Sequence, residues 1–281
     1  MVPGPVLLDA QWPEVRSSAP RNTDGSVNLD APTPMLVDGK MPDFSGVWRP
    51  VSVPCVDNDP EADPFGFAFG CTDQNFGTPI GVTDFTAELP EHMEVGAYEL
   101  PYQPWAKELA EERTAQLGKG DPGSYCLPMS VPVSWADFVY SKIVHTENVL
   151  VMLSEYMAQY RQIFLDGRPL PEDPFPMFKG YSVGHWEDDT LVVETVGIKE
   201  GGWIDIKGNP LTNQARLTER IRRPSFGALE VEITIDDPGA YTEPFSATRR
   251  LIYVPDLELL DYICNENEKD LEHMVGASAE P

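Results

Sequence analysis

Of 281 residues, 46 are Asp or Glu and 20 are Lys or Arg; the formal charge of -26 repels phosphate backbones and anionic lipid heads, excluding nucleic acid and membrane surfaces as expected partners. With 41% hydrophobic and 10% aromatic residues the chain can bury a sizeable core, which excludes wholesale disorder. No run reaches the ~20 apolar residues that span a bilayer, and the opening MVPGPVLLDAQWPEV lacks a secretory leader pattern, so the expected compartment is the cytoplasm, or the periplasm or exterior if a leader has been trimmed.

Residues 1–130 hold most of the 28 prolines, in runs such as APTP, DPFGFAFG and DPGSYCLP that oppose regular helices and central strands. This section is expected to be a wrapping arm, forming one structural domain together with residues 131–281. One helix interrupts it: WAKELAEERTAQL predicts a helix over 104–117, with Trp105, Leu109 and Leu117 toward one face and a stop at Gly118. From about Trp135 the texture changes to short β-branched and aromatic runs split by turn residues, the pattern of antiparallel hairpins. The predicted strands are 137–144, 148–155, 160–165, 180–186, 190–196, 215–222, 229–235, 246–253 and 257–263. So many consecutive strands must hide their edges. Residues 131–281 are therefore expected to be a mainly β core, an antiparallel meander closing into a barrel or strongly curled, lipocalin-like sheet.

Period-two alternation assigns faces. In LEVEITI, Leu229, Val231, Ile233 and Ile235 face inward while Glu230 and Glu232 face water. In ARLTERIRR the inward set is Leu217, Glu219 and Ile221, which sets a carboxylate between two core positions. Burial disfavours the charged form of such a group and raises its pKa, as a general acid or base requires. A structural ion pair is the competing reading, with Arg249, in the set Ala247, Arg249, Leu251 and Tyr253, as its partner. An arginine inside a pocket also suits a substrate carboxylate or phenolate.

Three further segments carry candidate chemistry. Tyr160, Gln162 and Phe164 share one strand face and are expected to form a ligand wall, while Arg161 is expected to pair with Glu155 or to stabilise negative charge on a substrate. In GYSVGHWEDDTLVVET, Tyr181, Val183 and His185 share a face, and His185 is the histidine best placed for proton transfer. The segment GGWIDIKGNP places Trp203 and Asp205 on a loop near a barrel mouth, as a lid or as a loop pinned by its tryptophan. The acidic stretches 187–189 and 236–239 read as solvated hairpin tips, since both lack the ligand spacing of a calcium loop.

No metal site is expected, because His92, His145, His185 and His273 are scattered and Cys55, Cys71, Cys126 and Cys264 lack C-x-x-C spacing. Disulfides Cys55–Cys71 and Cys126–Cys264, or four reduced thiols, are both compatible with the count. The GKGDPG stretch at 118–123 lacks the rest of a P-loop, and neither G-x-G-x-x-G after a strand nor G-x-S-x-G occurs. No cofactor is expected.

The strings DFSGVW at 43–48, RQIFLDGRPLP at 161–171, GHWEDDTLVVET at 184–195 and CNEN at 264–267 resemble a group of uncharacterised bacterial proteins, many of them apparently exported. The resemblance covers most of the chain beyond residue 40 and implies no activity. Members of that group often carry His after the G-x-P turn, where this chain has Asn213. The residues themselves point to a cofactor-independent lyase, isomerase or cyclase acting on a hydrophobic, aromatic or polycyclic small molecule. In that reading Glu219 moves a proton, His185 or Tyr160 is its counterpart, and Arg161 or Arg249 holds negative charge. A lipocalin-like carrier without catalysis is the alternative. A third reading is an interaction module whose arm docks on a partner or on a second copy in a homo-oligomer.

Overall fold

The computed structural model describes residues 16–50, 100–116, 118–135, 140–205 and 208–266. Cys55, Cys71, His92 and His273 lie outside the described residues, as do positions 137–139 of the first predicted strand.

Alternating sequence gives alternating burial. Strand β9 (Arg216–Ser225) runs exposed, buried, half-buried, buried from its first residue, and β10 (Ala228–Asp236) and β11 (Phe245–Tyr253) repeat the pattern with Leu229, Val231, Ile233, Ile235, Ala247, Arg249 and Leu251 inside. With β1 (Gly46–Pro50), β2 (Ser141–His145), β3 (Val149–Ser154), β4 (Gln159–Phe164), β5 (Tyr181–Glu187) and β6 (Thr190–Val196) they form a closed barrel. Its circular order is β1, β11, β10, β9, β6, β5, β4, β3, β2, and β2 returns to β1. Every pairing is antiparallel except β4 with β5. Two short strands, β7 (Gly202–Trp203) and β8 (Pro210–Leu211), form a separate ribbon.

The barrel is the predicted fold, but two strands differ from expectation. Residues 257–263 form no strand. The closing strand is instead β1, from within the proline-rich arm: Trp48 pairs with Tyr253 on one side and Ser141 on the other. Among the described residues β1 pairs with β11 and β2, both far away in sequence, so local turn signals cannot reveal it. Gly46 permits the closure. Its φ of +147° is glycine territory, and a Cβ there would lie 2.5 Å from the Tyr253 ring.

Helix α1 (Pro104–Ala115) starts on Pro104, whose missing N–H costs nothing in a first turn. It buries Ala106 and Ala110, four residues apart, whereas Trp105 is largely exposed and Leu109 half-buried, so small residues form its inner stripe. The expected Trp105–Leu109 stripe lost because alanines let the helix backbone approach more closely. Trp105 Nε1 donates instead to the Gly239 carbonyl at 2.9 Å. Short α2 (Val131–Ser134) is buried along its length and leads into fully buried Trp135. It plugs the barrel end where β4 begins: Met129 N–H donates to Gln159 Oε1 at 3.2 Å, and Trp135 reaches Glu219. Residues 29–48 close the opposite end, through Phe226 N–H to Ala31 O (2.8 Å) and Phe44 packed on Trp186.

Residues 254–266 form a strap along the outside. Leu260 N–H donates to buried Glu155 at 3.1 Å, Tyr262 packs on Tyr156 at 5.3 Å, and Cys264 is disulfide-bonded to Cys126 with Cα atoms 5.5 Å apart. Asp256, held at about 2 by hydrogen bonds from Arg21 and Ser17, ties the strap to the arm.

The bridge joins positions 138 residues apart, so it restricts the unfolded chain strongly. Replacing Cys126 and Cys264 together by serine is expected to cost about 3–5 kcal/mol in guanidinium unfolding; a loss below about 1 kcal/mol would show that strap and turn hold without it.

Candidate functional site

Register places Glu219 between Val193 on β6 and Ile233 on β10, all facing inward. Its carboxylate is fully buried and meets Arg161 from β4, with Arg161 Nη1 at 2.8 Å from Oε1 and Nη2 on Oε2. Trp135 Nε1–H also donates to Oε1. Arg161 also donates to Ser182 Oγ (3.1 Å) and Thr195 Oγ1 (3.0 Å), and those two hydroxyls lie 2.9 Å apart. A bidentate guanidinium–carboxylate pair with its outer donors satisfied is the one arrangement that makes two buried charges tolerable. The inward Glu219 is as predicted. Its partner is not: Arg161 takes the place expected for Arg249, because the strand order brings β4 and β9 across the lumen. Arg161 therefore does not pair with Glu155, which serves the strap. Arg249 is also fully buried, opposite Val231.

A second polar cluster lies beside the α2 plug, on the loop after β7. Asp205 is fully buried and accepts from Asn209 Nδ2 at 2.6 Å, Tyr102 Oη donates to Asn209 Oδ1 at 2.6 Å, and Tyr241 Oη donates to Pro210 O at 2.8 Å. Burial, then the nearby Asp205 charge, pushes the Tyr241 phenol far above its ordinary range. Asp237 is likewise buried, accepting from the Thr212 N–H (2.8 Å) and hydroxyl (2.5 Å); the stretch 236–239 is thus a staple and not the expected solvated tip. Trp203 is buried under the Arg113 guanidinium, 4.8 Å above its ring. Trp203 and Asp205 pin this loop in place.

Next to Trp203 lies a small cleft with about 10 Å³ of free space, room for about one water molecule, walled by Met129, Phe178, Trp203 and Pro122. Lys199 lies at its rim with the ammonium 4.6 Å from the Phe178 ring centre. Ser130, at its floor, donates to the Trp203 carbonyl.

The remaining candidates lie on the outer surface. Tyr160 is 66% exposed and Gln162 is exposed, so the expected ligand wall of Tyr160, Gln162 and Phe164 faces solvent; the alternation was right and the side reversed. Phe164 stacks on Tyr181 at 5.3 Å outside the barrel, with Arg168 above the Phe164 ring at 3.9 Å. His185 is exposed, 3.5 Å from Glu187. Neither His185 nor Tyr160 shares the lumen with Glu219, so neither is its proton-transfer counterpart. The turn at Asp188–Asp189 is the exposed hairpin tip expected.

Among the described residues the buried histidine is His145, which the sequence places merely beside a turn. It is packed between Phe44 (5.4 Å) and Trp186 (5.9 Å), and the Phe44 N–H donates to Nδ1 at 3.2 Å. Nδ1 is thus the bare nitrogen, and Nε2 carries the proton, buried and without a hydrogen-bond partner among the described residues. Burial lowers His145 to about 4 against a weaker opposing pull from Asp43. Nearby, Arg223 holds the arm through the carbonyls of Asp43 and Ser45, and burial lowers it to about 10. Among the described residues no group of three or more His, Cys, Asp or Glu is arranged to hold a metal ion.

Compared with protein-family models, curated proteins and solved structures, the chain matches none.

The buried pair and the buried histidine each carry a measurable stability effect. Arg161→Met, which strands the Glu219 charge, is expected to cost about 3–5 kcal/mol in denaturant unfolding, while the Arg161→Met/Glu219→Leu double variant recovers most of it; additive losses would refute the coupling. For His145, the unfolded imidazole titrates near 6.5 and the folded one near 4, so the folded state binds fewer protons between those values and stability falls as pH drops through that window. His145→Gln is expected to remove on the order of 3 kcal/mol of the pH 7-to-4 stability difference, read by urea unfolding across a pH series; an unchanged slope would contradict it.

Proposed function

We propose that this protein binds a hydrophobic small molecule at the plugged end of its β-barrel, the lipocalin-like carrier reading. The observation that carries it is the closed barrel, a fold compatible with small-molecule binding, whose plugged end brings aromatic, thioether and proline side chains together over a loop held by buried hydrogen bonds. A closed barrel supplies the stiff frame such a site needs. The interaction-module reading finds less support, because the described part of the arm is occupied with its own barrel through Thr33, Phe44 and β1.

A second reading keeps acid–base chemistry without a cofactor, as a lyase, isomerase or cyclase. It is favoured by the burial of Glu219, Arg161 and Arg249 together inside the barrel, since buried charges cost stability and concentrate at functional sites. Glu219 would move the proton and Arg161 hold the developing negative charge. The engagement of Glu219 by Arg161 and Trp135 supports binding over this second reading.

The Cys126–Cys264 bridge supports an oxidising compartment, in keeping with the exported group that this sequence resembles. No helix among the described residues is long and apolar enough to cross a membrane.

Titration of the full chain with one- and two-ring aromatic alcohols, followed by tryptophan fluorescence, is expected to give saturable binding that Phe178→Ala weakens about tenfold without changing the circular dichroism. No saturable change with any of these probes would sink the binding function. Glu219→Gln separates the two readings: lost turnover with retained affinity supports catalysis, and unchanged ligand handling supports a carrier.

A further inference from the structure

An antiparallel sheet with one face in water carries polar residues on that face. Strands β10 and β11 obey: their outward residues include Glu230, Glu232, Thr234, Ser246, Thr248 and Arg250, tied by pairs such as Arg222–Glu230 and Thr234–Ser246. Strands β2, β3 and β4 do not. Of their eight outward positions only Lys142 and Gln162 are polar, and the other six are Val144, Val149, Val151, Leu153, Tyr160 and Phe164.

Register makes these positions one surface. Val151 lies between Val144 and Gln162, Leu153 lies between Lys142 and Tyr160, and Val149 is beside Phe164. The run VLVML in β3 is apolar on both faces, the pattern of a strand covered from both sides. One side is the barrel core. The other is open to solvent, with Tyr160 and Val144 exposed and Val149, Val151 and Leu153 half-buried. The strap borders this face through Glu258 on Lys142 and the Leu260 N–H on Glu155, and it adds the exposed side chains of Leu260, Tyr262 and Ile263. With strands about 4.8 Å apart and residues about 3.4 Å along each, strands and strap make an apolar patch on the order of 500 Å², more than scattered surface residues produce.

Charge identifies what fits there. A chain of net charge -26 repels its own copies wherever carboxylates face each other. The eight outward positions hold no carboxylate, and Glu258 neutralises their one cation, Lys142. Such a neutral face offers no countercharge to a basic partner, whereas two copies can meet on it with their acids kept to the wet rim. A symmetric pair would bury about 1,000 Å² in total, which reaches the size a specific interface needs. We propose that the outer face of β2, β3 and β4 is the contact surface of a two-fold symmetric homodimer, with Val151, at the centre of the eight positions, meeting its counterpart across the axis.

Analytical ultracentrifugation of the full chain at micromolar concentration is expected to show a species of twice the chain mass, whose fraction rises with salt as the repulsion between the acidic copies is screened. Val151→Asp, which sets two carboxylates together on the axis, is expected to weaken the dimer at least about tenfold, and Val151→Thr to keep it. Tyr160→Glu, at an exposed position, is expected to act as Val151→Asp does, and it carries the test if circular dichroism shows Val151→Asp misfolded. A native chain that stays monomeric at low and high salt overturns the proposal, and so does a dimer that the folded acidic variants leave intact. A monomer that co-sediments with neutral phosphatidylcholine vesicles overturns it in favour of a bilayer surface.

Discussion

Five residues, Gly46–Pro50, determine whether this molecule has an inside. Without β1, strands β2 and β11 would each have a neighbour on one side only, and their open edges would expose unpaired N–H and C=O groups along the sheet. β1 satisfies both edges at once, and with the ring complete the inward residues of nine strands lose contact with water. Trp48, on that strand, is fully buried and donates its indole N–H to the Phe44 carbonyl at 3.0 Å, so the closing strand carries the stopper for one end with it.

Enclosure dictates how the interior charges behave. Glu219 and Arg161 are on strands distant in the chain and face each other only because the sheet has curled; once enclosed, neither can keep its charge alone. Ser182, Thr195 and Trp135 complete the set of hydrogen bonds. The result is a self-neutralised network that braces the lumen.

The irregular segments have a structural role that their composition disguises. The arm seals one end through Phe44, His145 and Arg223, while the strap after β11 crosses to the turn before α2 and is fastened by Cys126–Cys264. Asp256 joins arm to strap through Arg21. In the described part of the arm, prolines and glycines limit regular strand pairing without stopping the segment from packing.

The sequence by itself determined strands β3 to β6 and β9 to β11, since period-two patterning and turn residues are local signals that survive any tertiary arrangement. It also determined that Glu219 points inward, because Leu217 and Ile221 fix that face. Only the tertiary structure decided which charge answers Glu219, which residues close the ring, and that Tyr160, Gln162 and His185 face water. Pairing across a lumen depends on strand order and stagger, which alternation within one strand does not encode. The same holds for His145 and for the Trp203 recess: each is assembled from segments far apart in the chain, and burial arises only where those segments meet.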